Sequence, residues 1–299
     1  MLYKMSRIGN LFRGFAIGEA HGRASRAGVP FPAELNIDGR AHNSWGDHTD
    51  HILAVLAAIH VNRDSAKPVK YNDIYKNIAA KFKSSNNSII LQTDLAKMMS
   101  TTNTAMRDFS GQLSGQTFYN NYDAIPRAIV AGCLSRFRSR GYVIALHMCK
   151  ITHNSRDVLW SFIFVARLVS ALIFNDDPLG SFDTVFRESI SKISGNLTEN
   201  LGGKCLCVFP EINRCVQSLR EAIPLLDPDN YERDANALWL NIIGEHVVGD
   251  IHSDLIGGLI GAIAAVVLNI APASIEHLPM SNTLGIIDLF DDWHGKKNT

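Results

Sequence analysis

The sequence predicts an all-α fold, read as a single compact domain over residues 1–299. Three observations carry that prediction. Apolar residues recur at three- and four-residue spacing through long segments, period-two alternation is scarce, and turn-rich stretches separate the periodic segments. With 46% hydrophobic and 19% charged residues, a chain of this length can bury a large core.

In chain order, residues 51–61 place Ile52, Val55, Leu56 and Ile59 on one helical stripe. Residues 71–82 repeat the pattern with Ile74, Ile78 and Phe82. Residues 160–174 are apolar nearly all round, with Arg167 as the only charge, which predicts a central helix. Residues 235–248 and 255–270 complete the set. Turn-rich linkers lie at 66–68, 84–88, 110–121 and 175–178. Two short apolar runs, 142–146 and 205–209, read as candidate strands, although isolated strands would not make a sheet. There are no internal repeats and no low-complexity tract.

Charge and cysteine content narrow the function classes. Lys+Arg and Asp+Glu are equal at 29 each, so there is no basic field for nucleic acid and no acidic tail. No nucleic-acid partner is expected, and a monomer is. Five cysteines, odd in number and sparse, fit a reducing compartment and a cytoplasmic protein. The first fourteen residues carry Lys4, Arg7 and Arg13 and no apolar run of signal-peptide length. Residues 255–275 are uncharged and long enough to span a bilayer, with Gly257 and Gly261 at GxxxG spacing. Asn269, Pro272 and Ser274 interrupt the run and no basic residues flank it. The expectation is a buried core helix and no membrane association.

Two polar clusters sit at the mouths of apolar helices. The first, Trp45-Gly46-Asp47-His48-Thr49-Asp50-His51, precedes the Ile52 stripe. Capping and dipole complementation explain one or two of these residues. Five consecutive polar residues, two of them imidazoles, exceed what a cap needs, so capping and a metal or anion site both stand. The second, Gly249-Asp250-Ile251-His252-Ser253-Asp254, precedes the Leu255 run. Small residues at Gly257, Gly258, Gly261 and Ala262 let another backbone approach, which puts this helix start deep inside. Buried polar groups there need partners, and two such turns suggest a shared cation site. Other motifs are plainer. Cys205, Cys207 and Cys215 lack paired zinc-ligand spacing. Gly14-x₃-Gly18-x₃-Gly22 is helix-packing spacing and no phosphate loop. A serine nucleophile elbow is absent.

Taken in order, these segments resemble the ADP-ribosylglycohydrolase family, over about residues 8–280. Residues 14–22 look like its opening GxAxGDAxG, with Glu19 in place of the Asp. Residues 45–51 look like its W-T-D-D-T-D-H motif. Thr101-Thr102-Asn103-Thr104 is similar to its threonine-rich phosphate-side segment. Ala124 to Arg127 with Gly132 falls where it has A-M-R…G, and Ile151-Thr152-His153 matches its I-T-H. Residues 252–262 align without gaps to D-T-D-T-x-G-A-I-x-G-A.

The resemblance implies an all-α orthogonal bundle holding two divalent cations, usually magnesium, in a cleft for ADP-ribose. Its activity would be metal-assisted hydrolysis of the glycosidic bond in an ADP-ribosylated protein or a small ADP-ribose compound. Carried over residue by residue, Asp47, His48, His252 and Asp254 would ligate metal, and a shifted register would use Asp250 and Ser253 instead. Asp47, Asp50 and Glu19 would be the catalytic carboxylates, the last two as base or water-orienting groups. Thr102, Asn103, Arg127 and His153 would bind ADP-ribose.

The departures bear on the chemistry. Gly46 and Leu255 each replace a threonine, and His48 and His252 each replace an aspartate. Magnesium prefers oxygen donors in octahedral array. Two carboxylates and two imidazoles suit manganese, zinc, iron or nickel instead, or no metal at all. The alternative to a hydrolase is therefore a catalytically inactive family member that binds ADP-ribose or a protein partner.

Overall fold

The computed structural model describes residues 7–28, 36–37, 40–41, 46, 48–49, 51–53, 55–56, 59, 124–134, 139–150, 156–194, 208–247 and 253–270. The fold is all-α. The α-helices are α1 (Arg7–Arg26), α2 (Ile125–Leu134), α3 (Ser139–Lys150), α4 (Arg156–Phe174), α5 (Pro178–Ser194), α6 (Val208–Ala222), α7 (Tyr231–His246) and α8 (Ser253–Val267). Short 3-10 turns at Ile223–Leu225 and Pro228–Asn230 connect α6 to α7. One two-residue antiparallel pair, β1 (Asn36–Ile37) with β2 (Arg40–Ala41), sets Asn36 opposite Ala41 and Ile37 opposite Arg40. The chain divides into two units. One comprises residues 1–49, 175–182 and 206–299, the other residues 50–174 and 183–205.

In the first unit α1 and α8 lie with backbone against backbone. A Cβ added at Gly14, Gly18 or Gly22 would come within 3.0 Å of the carbonyl oxygen of Gly261, Gly257 or Ser253 respectively. The reverse holds for Gly257 against Gly18 and Gly261 against Gly14. The partner numbers fall as the α1 numbers rise, so the two helices run antiparallel. Small residues at four-residue spacing on both faces are what allow so close an approach. Residues 14–22 are thus a packing stripe, as their spacing predicts.

The remaining core of this unit closes around that pair. Ile17 of α1, Cys215 and Leu219 of α6, Trp239, Ile242 and Ile243 of α7, and Ile260 and Ala264 of α8 form one buried cluster. The Trp239 indole N–H donates to the Gly261 carbonyl at 2.9 Å, which satisfies the ring's polar edge in the interior. The last turn of α8 ends in a Schellman arrangement. Ile270 N–H reaches Ala265 O at 3.1 Å and Asn269 N–H reaches Val266 O at 3.2 Å. Asn269 takes the left-handed conformation this requires, at φ 51°. The apolar run read at 255–270 therefore forms a helix over Ser253–Val267 and stops there. Among the described residues no helix is long and apolar enough to cross a membrane.

In the second unit α2, α3 and α4 pack together. Gly132 of α2 meets α4 closely, since a Cβ there would stand 2.5 Å from Ala166 O and 2.7 Å from Val169 Cβ. The nearly all-apolar segment predicted as central is α4, whose Phe162, Ala166, Leu168 and Leu172 are buried. Arg167, its one charge between 160 and 174, pairs with Glu188 of α5. Phe164 meets Phe186 edge to face at 6.2 Å between ring centroids. Ile52, Val55, Leu56 and Ile59 are helical and buried, as their stripe predicts.

One reading is corrected here. Residues 142–146 lie inside α3 and are not a strand. Tyr142 and Val143 are exposed while Ile144, Ala145, Met148 and Cys149 are buried, a helical face that a five-residue window is too short to reveal. Val208 and Phe209 likewise open α6. The segment predicted at 71–82, the linkers at 66–68, 84–88 and 110–121, and residues 205–207 lie outside the described residues.

Candidate functional site

The site is built on α1. Its stripe of glycines brings the helix against α8, and Glu19 occupies the turn beside Gly18, fully buried. A buried carboxylate is costly unless its oxygens are satisfied, and Glu19 is satisfied completely. Its Oε1 accepts the His48 backbone N–H at 3.0 Å. Its Oε2 accepts the Thr49 backbone N–H at 3.0 Å and the Thr49 hydroxyl at 2.5 Å. The His48 imidazole Nδ1 stands 3.2 Å from Oε1.

His48 and Thr49 are the first helical residues after Gly46 among those described. Glu19 therefore caps that helix start from a different helix, supplying the negative charge that exposed N–H groups favour. Burial pushes the Glu19 carboxyl up, but the His48 contact and the Thr49 hydrogen bonds outweigh it and hold it below the usual carboxylate value.

Gly46 makes this arrangement possible. A Cβ at residue 46 would stand 2.5 Å from Glu19 Oε1 and 3.0 Å from both Glu19 Cδ and Arg23 Cδ. The carboxylate fills the space that a side chain at 46 would need.

The second motif meets α1 one to two turns further on. The Ser253 hydroxyl donates to Gly22 O at 2.9 Å in the interior. Asp254 uses both oxygens: Oδ1 accepts its neighbour's Leu255 N–H at 2.9 Å, and Oδ2 accepts Arg26 Nη1 at 2.9 Å. Glu19, Gly22, Arg23 and Arg26 follow at helical spacing, so one face of α1 carries partners for both motifs.

Of the residues singled out in the sequence, Glu19 and His48 are thus in direct contact, and Ser253 and Asp254 join the same helix. Arg127 lies in the other unit, in α2, 1% exposed. Asp47, Asp50, Thr102, Asn103, His153, Asp250 and His252 lie outside the described residues. Among the described residues, no three His, Cys, Asp or Glu side chains converge as metal ligands would. Sequence reasoning missed Arg26. The signal was available, because Arg26 stands one turn beyond Gly22 on the stripe that the glycines define.

A sequence profile described as ADP-ribosylglycohydrolase matches residues 3–272, nine-tenths of the chain. The chain belongs to the ADP-ribosylglycohydrolase family. The match includes α1, the 45–51 cluster and α8, so the elements that build the Glu19 and Asp254 contacts are the family's own segments. It extends slightly beyond the start of the stretch, 8–280, that the motifs alone suggest, and stops short of its end. No individually curated protein matches the chain.

Proposed function

We propose that this family member binds ADP-ribose, free or attached to a protein, and does not carry out two-magnesium hydrolysis. The observation that carries this reading is the engagement of Asp254. It is the one carboxylate retained in the second metal motif, and its two oxygens are taken by Arg26 and by the Leu255 N–H. Magnesium sheds its waters reluctantly and needs anionic oxygens in near-octahedral array. A guanidinium at 2.9 Å competes for the same oxygen. The Leu255 side chain that stands where a hydroxyl is expected is apolar and buried. These features do not fit a magnesium ligand set, so no step is routed through that metal.

The test is calorimetry of ADP-ribose with chelator-treated full-length protein, alongside release of ADP-ribose from ADP-ribosylated arginine and serine peptides. Binding without metal and no release in magnesium are expected. Magnesium-dependent release that disappears in Asp254→Ala overturns the reading.

A second reading, a hydrolase using manganese, zinc, iron or nickel, is favoured by the retention of Asp47 beside His48 and Asp254 two residues after His252. Under it, one of those ions would restore release and Asp47→Ala or Asp254→Ala would each abolish it. Full turnover by the double alanine variant excludes it.

A further inference from the structure

We infer that Glu19, Gly46 and His48 are one interlocked set in which an internal carboxylate, in place of a metal ion, fastens the 46–49 segment to α1. This deepens the reading above, on which it rests for a fold that dispenses with magnesium, and extends it to the other motif.

Space is the first constraint. Where the motifs that this chain resembles have Asp and Thr, it has Glu19 and Gly46, and these two residues meet. Each change alone is expected to cost stability. A Cβ at 46 crowds the Glu19 carboxylate at 2.5 Å, a contact from which a shorter acid would withdraw. The added methylene at 19 and the lost side chain at 46 are two halves of one exchange.

Hydrogen bonding is the second constraint. Each Glu19 oxygen already accepts a backbone N–H from the segment, and Oε2 takes the Thr49 hydroxyl as well. A carboxylate so engaged is held at both oxygens by the segment it faces. The third concerns His48. Its Nδ1 faces a Glu19 carboxylate oxygen at 3.2 Å, so the imidazole packs against the same acid that holds the backbone of His48 and Thr49. Glu19 is accordingly a positioning residue.

The experiment is thermal unfolding of chelator-treated full-length protein with magnesium or manganese added, together with a double-variant cycle. No shift in Tm is expected with either ion. Gly46→Ala should lower Tm by on the order of 5 °C, and Glu19→Asp should lower it too. The double variant, in which the shortened acid withdraws from the new methyl, should melt higher than the two losses combined would give. If Gly46→Ala does not fold, Glu19→Gln substitutes: it keeps the size, loses the charge and should still be less stable.

A rise in wild-type Tm with either ion that vanishes in His48→Ala overturns the inference. So does a strictly additive cycle. These readouts concern the fold of the first motif, so they can fail while ADP-ribose still binds, and the reverse.

Discussion

Replacing Gly18 by alanine puts a methyl group where the Gly257 carbonyl oxygen already stands. The added Cβ would also lie within 3.0 Å of the Gly257 carbonyl carbon, a separation that real Cβ atoms essentially never show. Neither obstacle can swing aside, because both are backbone of α8, so the two helices have to part. Helix propensity pulls the other way, favouring alanine by about 0.5–1 kcal/mol. Overpacking a filled interior costs about 1–3 kcal/mol, and a rigid backbone neighbour places this case at the upper end. Separation also loosens the flanking layers, Gly14 on Gly261 and Gly22 on Ser253, and the Trp239 bond to Gly261. The net loss is about 2 kcal/mol, or roughly 3 °C in Tm for a chain of this size. Gly244 provides the control. It lies in α7, is exposed and has nothing within 4 Å of an added Cβ, so Gly244→Ala should gain about 0.5–1 kcal/mol. Thermal denaturation of the two variants beside wild type reads both signs. A Gly18→Ala protein as stable as wild type, with Gly244→Ala behaving as expected, refutes the close approach of α1 and α8.

Cys133, Cys149 and Cys215 are buried, and burial pushes the Cys215 thiol up to about 12, so in native protein a thiol reagent should spare all three until denaturant is added. Rapid native labelling of Cys215, read by peptide mass spectrometry, counts against that. His246 is held below the ordinary histidine value by burial, with Arg214 adding to the effect and Glu245 opposing it. The unfolded chain then takes a proton near pH ~6.5 that the folded protein resists, so stability is full above that pH and declines as pH falls below it. His21 adds a slope of the same sign, so the check is urea unfolding of wild type against His246→Gln, which should flatten the decline. At Asn269, φ 51° suits glycine and penalises a β-branched residue. Asn269→Gly should be neutral or slightly stabilising in a thermal melt and Asn269→Val should cost about 1–2 kcal/mol; equal melting points would speak against the left-handed cap.

What could be read from the sequence was what repeats within one helix. The Ile52 stripe, the apolar α4 and the Gly14-Gly18-Gly22 spacing each announce a face, and each buries that face as expected. What could not be read depends on two distant segments meeting. Glu19 reads as a spare carboxylate, suited to proton transfer, until the side chain missing at Gly46 shows where its oxygens go. Asp254 reads as a retained ligand until Arg26 is seen to hold it. The second fact follows from the register of α1 on α8. The glycine contacts at three successive layers leave the two helices no freedom to slide, and Arg26 reaches Asp254 one turn beyond the Gly22 layer. Glu19 projects from the same turn as Gly18, the middle layer, so whatever displaces α1 there displaces the helix cap at His48 and Thr49 too. Gly18→Ala should therefore loosen the cap at His48 and Thr49 along with the fold, even though Gly18 is not itself one of the cap's partners.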